Sequence, residues 1–101
     1  NVGGVPVLAH PGYLLDMETS IAALVDVGLM GMEVYYAHYS PDTVQHLAQV
    51  AARFGLIPCG GSDYHGLGNI GEPLPGSLGP PLSTVERLEA AALKLAHASR
   101  P

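Results

Sequence analysis

Three short apolar runs, each closed by a polar motif, leave this chain few ways to fold. Val5-Pro6-Val7-Leu8-Ala9 leads into His10-Pro11-Gly12, and Met30-Gly31-Met32-Glu33-Val34-Tyr35-Tyr36 leads into Ala37-His38. Leu56-Ile57-Pro58-Cys59 leads into Gly60-Gly61-Ser62-Asp63-Tyr64-His65-Gly66. Short continuous apolar runs are the pattern of strands buried on both faces of a parallel sheet. Pro6 suits a strand start or an edge. His10 precedes a proline, which biases it toward extended backbone.

The stretches between the runs read as helices. From about Asp16 to Val27, residues Ile21, Leu24, Val25 and Gly28 fall at helical spacing, with Gly28 ending the helix. Ser40-Pro41-Asp42 is a strong start signal: a capping serine, proline at the first helical position and an acid in the first turn. Val44, Leu47, Ala48, Ala51 and Phe54 form the buried stripe of that second helix, which Gly55 ends. Gly66 to Leu82 is a long loop rich in glycine and proline. Ser83-Thr84-Val85-Glu86 reads as a capping box opening a last helix, whose inner face carries Val85, Leu88, Ala92 and Leu95. The order is β-α-β-α-β-loop-α with parallel strands and right-handed crossovers. One domain at most fits in 101 residues. Three strands make a small sheet that needs cover on both faces, so the chain is expected to be part of a larger α/β layer or barrel.

Composition narrows the chemistry. A net charge of −5 argues against nucleic-acid binding by bulk charge attraction. The four cations, Arg53, Arg87, Lys94 and Arg100, fall late in the expected helices, away from the motif loops. Cys59 is the single cysteine and can form no internal disulfide, so a reducing, cytoplasmic setting is the simpler expectation. No apolar run is long enough to span a bilayer, and no membrane partner is expected.

In parallel α/β architectures, sites gather at the carboxyl ends of the strands. His10 follows the first run, Glu33 to His38 span the end of the second, and Asp63 and His65 follow the third. If the backbone stays extended past Ser62, Asp63 and His65 point to one side and can face one ion. Imidazole and carboxylate donors suit zinc, manganese or iron. Each residue also has a plainer use. His10 can satisfy a strand-end carbonyl, Asp63 can cap a turn, and His65 can be an ordinary loop residue. Glu33, inside a strand, is expected to pair structurally. Tyr35 and Tyr36 read as core or pocket wall, and Cys59 as a small buried apolar residue.

Ala9-His10-Pro11-Gly12, Gly31-Met32-Glu33-Val34-Tyr35-Tyr36 and Gly60-Gly61-Ser62-Asp63-Tyr64-His65-Gly66, in this order, resemble the carboxyl-terminal portion of a PHP (polymerase and histidinol phosphatase) domain. The nearest likeness is to the family's stand-alone metal-dependent phosphoesterases. The resemblance implies a distorted (β/α)7 barrel and hydrolysis of phosphoester bonds in small nucleotides or oligonucleotides. It also implies two or three divalent ions (Mn, Zn or Fe) in a complete site. His10, Asp63 and His65 match the family's metal ligands, with Asp63 and His65 in the catalytic centre. His38 resembles a loop histidine that contacts substrate phosphate. Where the family often has arginine after His-Pro-Gly, this chain has Tyr13.

The family's opening His-x-His, an early Asp and a central Glu and His do not occur in these residues. The resemblance therefore implies that the amino-terminal portion of the domain is a missing partner, and that the piece alone is inactive and inclined to self-associate. Two alternatives stay open: a non-catalytic PHP-like scaffold module, and a metal-dependent amidohydrolase sharing the barrel and ligand types.

Overall fold

The computed structural model describes residues 4–66 and 74–98, the last two by backbone alone. Three strands, β1 (Val7–Leu8), β2 (Gly31–Tyr36) and β3 (Ile57–Gly61), form one sheet in the order β1-β2-β3, with both pairings parallel. Helix α1 (Met17–Asp26) connects the first two, α2 (Pro41–Arg53) the second and third, and α3 (Leu82–Ala98) follows β3. A short 3-10 turn at Pro11–Tyr13 lies between β1 and α1.

Helix α2 starts as its sequence dictates. The Ser40 hydroxyl accepts the Thr43 N–H at 3.2 Å, Pro41 opens the helix, and Arg53 occupies the last turn. Its buried residues Leu47, Val50 and Ala51 meet Ile21 of α1 and Met32, Val34 and Leu56 in one closed core. Burying each of the larger aliphatic side chains contributes about 1.5–3 kcal/mol. One cluster touching α1, α2 and β2 places both connecting helices against the same face of the sheet. Glu18 and Arg53 tie the helices together at 2.6 Å, but both side chains are over half exposed, so the pair adds little.

Three expectations need correction. The first strand is far shorter than Val5–Ala9, and it is not buried on both faces: Val7 is 41% exposed and Ala9 is exposed. It is an edge strand. Pro6 has no N–H to donate, and its carbonyl accepts from both Met30 and Gly31. The capping box does not open α3, which already begins at Leu82. Thr84 lies inside the helix and donates its hydroxyl to the Pro58 carbonyl at 2.7 Å, pinning α3 to β3. The inner face consequently runs through Thr84, Leu88, Ala91 and Leu95, while Val85 and Ala92 are exposed. Of the long loop, residues 67–73 lie outside the described residues, as does Arg100. Leu74 to Ser77 form a turn in which the Ser77 N–H and hydroxyl both reach the Leu74 carbonyl.

The sheet carries one irregularity with large consequences. Glu33 pairs with Cys59 and Tyr35 pairs with Gly60, so Val34 is an extra residue in β2, a bulge. The bulge swings the Tyr35 carbonyl toward β3, where a Cβ on Gly60 would collide with it. Only glycine fits at position 60. At Gly61 a Cβ would meet nothing within 4 Å. Gly60→Ala should therefore destabilise the fold by about 1–3 kcal/mol, the usual cost of overpacking, and Gly61→Ala should change stability by less than about 0.5 kcal/mol. Urea unfolding of the two variants checks this, and equal effects would rule out the bulge contact.

Candidate metal-binding rim

Parallel strands end on one edge, and each strand here delivers its polar residue two positions past its last paired residue or beside it. His10 stands two residues past β1, Tyr36 is the last residue of β2 with His38 two beyond, and Asp63 is two past β3. The bulge decides which β2 side chains reach this rim. With regular alternation Tyr36 would share a face with Met32 and Val34. Instead Val34 and Tyr35 both contact the helix-side core, and Tyr36 turns to the rim with Glu33.

Tyr36 is the hub. It is 6% exposed, and its phenol donates to Asp63 Oδ2 at 2.7 Å. Its ring lies 5.0 Å from the rings of His10, His38 and Tyr39. Glu33 accepts the His10 backbone N–H at 3.0 Å and sits 3.6 Å from His10 Nε2. On the far side, His65 Nε2 is 3.7 Å from Asp63 Oδ1, and its Nδ1 contacts the Asp63 carbonyl at 2.7 Å. Gly12 passes so close to Tyr39 that a Cβ would meet the ring at 2.8 Å, and its N–H donates to the Tyr39 hydroxyl at 2.9 Å. Beside the rim, Tyr35, Tyr36, Tyr39, Val44, Gln45 and Leu78 help line a mostly apolar cavity of about 460 Å³.

The backbone of the rim differs from the extended geometry expected of it. Among the described residues, three that are not glycine have positive φ: Asp16 before α1, and His10 (51°) and Asp63 (57°) on the rim. His10 is held in the left-handed region, despite Pro11, by its N–H to Glu33 and by its carbonyl, which accepts from Tyr13. Asp63 and His65 come together because the backbone leaves the extended region at Asp63 and the His65 ring folds back on the Asp63 carbonyl, not along a straight strand. Left-handed conformations of this kind cost about 1–3 kcal/mol each and cluster at functional sites.

His10, Asp63 and His65 thus stand on one rim, in two pairs: His10 with Glu33, and Asp63 with His65. His38 joins them through its contact with Tyr36. Among the described residues, no three His, Cys, Asp or Glu side chains gather closely enough to hold an ion. The donor types suit a divalent metal, but the described residues alone do not complete its shell. Glu33 has the structural pairing expected of it. Cys59 is half-buried, its thiol pushed up by burial and pointed at the Ile57 carbonyl. Among the described residues, no helix is long and apolar enough to cross a membrane. Tyr36 is buried and walls the cavity, as expected, and in addition ties Asp63 to the rim.

The Asp63 hydrogen bond, reinforced by burial and by the nearby negative charge, raises the Tyr36 phenol well above its ordinary value. Tyr39 is also raised, chiefly by burial. A raised folded value means that the Tyr36 contribution to stability is intact below about pH 10, the ordinary phenol range, and is lost as pH climbs through the folded value. In a 295 nm absorbance titration, Tyr36 should be the last tyrosine to ionise. Tyr36→Phe should delete that final component; if it deletes an early one, the hydrogen bond is not as described.

A phosphoribosyl 1,2-cyclic phosphate 1,2-diphosphodiesterase from Eggerthella lenta is 42% identical over 64 residues, covering 63% of this chain and 24% of that protein. A 3′,5′-nucleoside bisphosphate phosphatase from Chromobacterium violaceum is 37% identical over 73 residues, covering 68% of this chain and 26% of that protein. The chain spans about a quarter of the length of the curated relatives it matches. No protein-family model and no solved structure matches it. Over the stretch it shares with these two relatives, the chain is homologous to PHP-domain phosphoesterases, as its three motifs foretell.

Proposed function

We propose that this chain is the carboxyl-terminal portion of a metal-dependent phosphoesterase that hydrolyses phosphoester bonds of small nucleotides or oligonucleotides. In this reading the three-stranded sheet is a segment of a distorted (β/α)7 barrel. His10, Asp63 and His65 contribute to a site for two or three Mn, Zn or Fe ions, and the remaining ligands come from the amino-terminal portion of the domain. His38 contacts the substrate phosphate. The observation that carries the reading is the meeting of His10, Asp63 and His65 on one sheet edge around Tyr36, in a chain whose relatives are named phosphoesterases.

The chemistry suits the rim. A divalent ion held there would polarise a phosphoryl oxygen and lower the pKa of a bound water toward neutrality. Around it, His10 and the Asp63–His65 pair supply ligand atoms, and His38 adds a hydrogen bond to the phosphate. The neighbouring cavity shares Tyr36 and Tyr39 with the rim and has the size of an ordinary small-molecule site. Leu15 (91% exposed) and Leu82 (76% exposed) are apolar side chains that the remainder of a larger domain would cover in this reading.

A second reading, a non-catalytic PHP-like scaffold, draws on the lack of a three-residue metal cluster among the described residues. Metal analysis of the purified full-length protein separates the two, since a scaffold would come out nearly metal-free. A panel of nucleoside bisphosphates, cyclic phosphodiesters and amides then tests the reaction class, including amide hydrolysis. Asp63→Asn in the full-length enzyme should lower phosphoesterase activity by roughly a hundredfold or more, because several kcal/mol of transition-state stabilisation would go with the ligand. Its far-UV circular dichroism should be unchanged. Full activity in that variant would end the assignment of Asp63.

A further inference from the structure

We propose that Tyr36 is the positioning residue of the rim, holding Oδ2 of Asp63 so that the orientation of this carboxylate, which would serve as a ligand to a divalent ion, is fixed from the neighbouring strand. The proposal deepens the phosphoesterase reading and rests on it. Asp63 lies beyond the end of β3, where no ladder hydrogen bond restrains it, and its backbone is left-handed. A carboxylate on such a residue has two equivalent oxygens and free rotation about its side-chain bonds, unless something outside its own loop holds it. Tyr36 does so from the neighbouring strand, 27 residues away in sequence, through a 2.7 Å bond to Oδ2.

The phenol is well placed for this role. It is a donor toward the carboxylate, so the bond is strongest while Asp63 is ionised, the form that binds metal. The ring is 6% exposed and wedged among His10, His38 and Tyr39, which fixes the hydroxyl in space. One side chain therefore sets the relation between residues from the ends of all three strands. Ligating carboxylates are commonly held by a hydrogen bond from beyond the metal, and loss of such a partner costs about 10–100-fold in metal affinity or activity.

Two measurements on the full-length protein test this. The first is a double-mutant cycle in urea unfolding of the metal-free protein, with Tyr36→Phe, Asp63→Asn and the pair. Non-additive effects are expected, and additivity would mean that Tyr36 does not hold Asp63. The second is isothermal titration with Mn²⁺. Tyr36→Phe, which keeps the ring and its contacts, should weaken binding about tenfold or more and lower kcat with KM nearly unchanged. If the unsubstituted protein binds Mn²⁺ and Tyr36→Phe binds it equally well, the positioning role is overturned while the phosphoesterase reading stands. If the unsubstituted protein binds no Mn²⁺, Zn²⁺ or Fe²⁺ and hydrolyses no phosphoester, the reading falls and the ion-directed role of Tyr36 falls with it.

Discussion

Two parallel ladders, β1 with β2 and β2 with β3, impose the constraint from which the rest of this structure follows. Parallel pairing cannot be closed by a tight hairpin, so each strand must be followed by a return helix. The ends of the three strands then share an edge whatever the loops contain. The core of Ile21, Met32, Val34, Leu47, Val50, Ala51 and Leu56 locks the connecting helices against the sheet. Without that packing the strands could slip in register, and a one-residue slip would send every side chain of β2 to the opposite face.

The bulge at Val34 is a controlled slip of this kind, confined to the last residues of the strand. Before it, β2 gives Met32 to the helices; after it, Tyr36 faces the rim. Gly60 permits the bulge, because any side chain there would meet the Tyr35 carbonyl. The Gly-Gly pair after Cys59 therefore has two different physical meanings. Gly60 is required by a contact within the sheet, whereas a side chain at Gly61 would meet nothing within 4 Å.

Much of this was legible in the chain, and the exceptions have identifiable causes. The succession of strands and helices, the α2 start at Ser40 and the placing of His10, His38, Asp63 and His65 at one edge follow from apolar runs, capping chemistry and strand direction. The length of β1 was not, because a run of apolar residues does not reveal that its strand lies at a sheet edge with one neighbour. The start of α3 was missed because Thr84, which looks like part of a capping box, is committed to the Pro58 carbonyl of β3, a long-range contact that no local pattern encodes. Tyr36 is buried and lines the cavity, as its sequence context suggests; its hydrogen bond to Asp63 is not legible locally, because it depends on the bulge at Val34, itself an unremarkable strand former. A local sign of the bulge is Gly60, where the absence of a side chain lets the Tyr35 carbonyl approach.

The conformations of His10 and Asp63 carry the last step. Histidine and aspartate tolerate the left-handed region better than most residues, yet it still costs free energy relative to extended or helical backbone, so hydrogen bonds that hold it matter. At His10 the restraints are the Glu33 carboxylate on the N–H and the Tyr13 N–H on the carbonyl. At Asp63 they are the Tyr36 phenol on the side chain and the His65 ring on the carbonyl. In both cases the restraining groups include ones from a neighbouring strand or its end, not only from the loop itself. Pairing of the sheet thus holds the two rim residues in conformations they would not choose locally. Stability stored in the core is offset against strain at the rim, and the same hydrogen bonds that contain the strain also aim the side chains. A rim built this way is ordered before any ligand arrives, which lowers the ordering cost of binding.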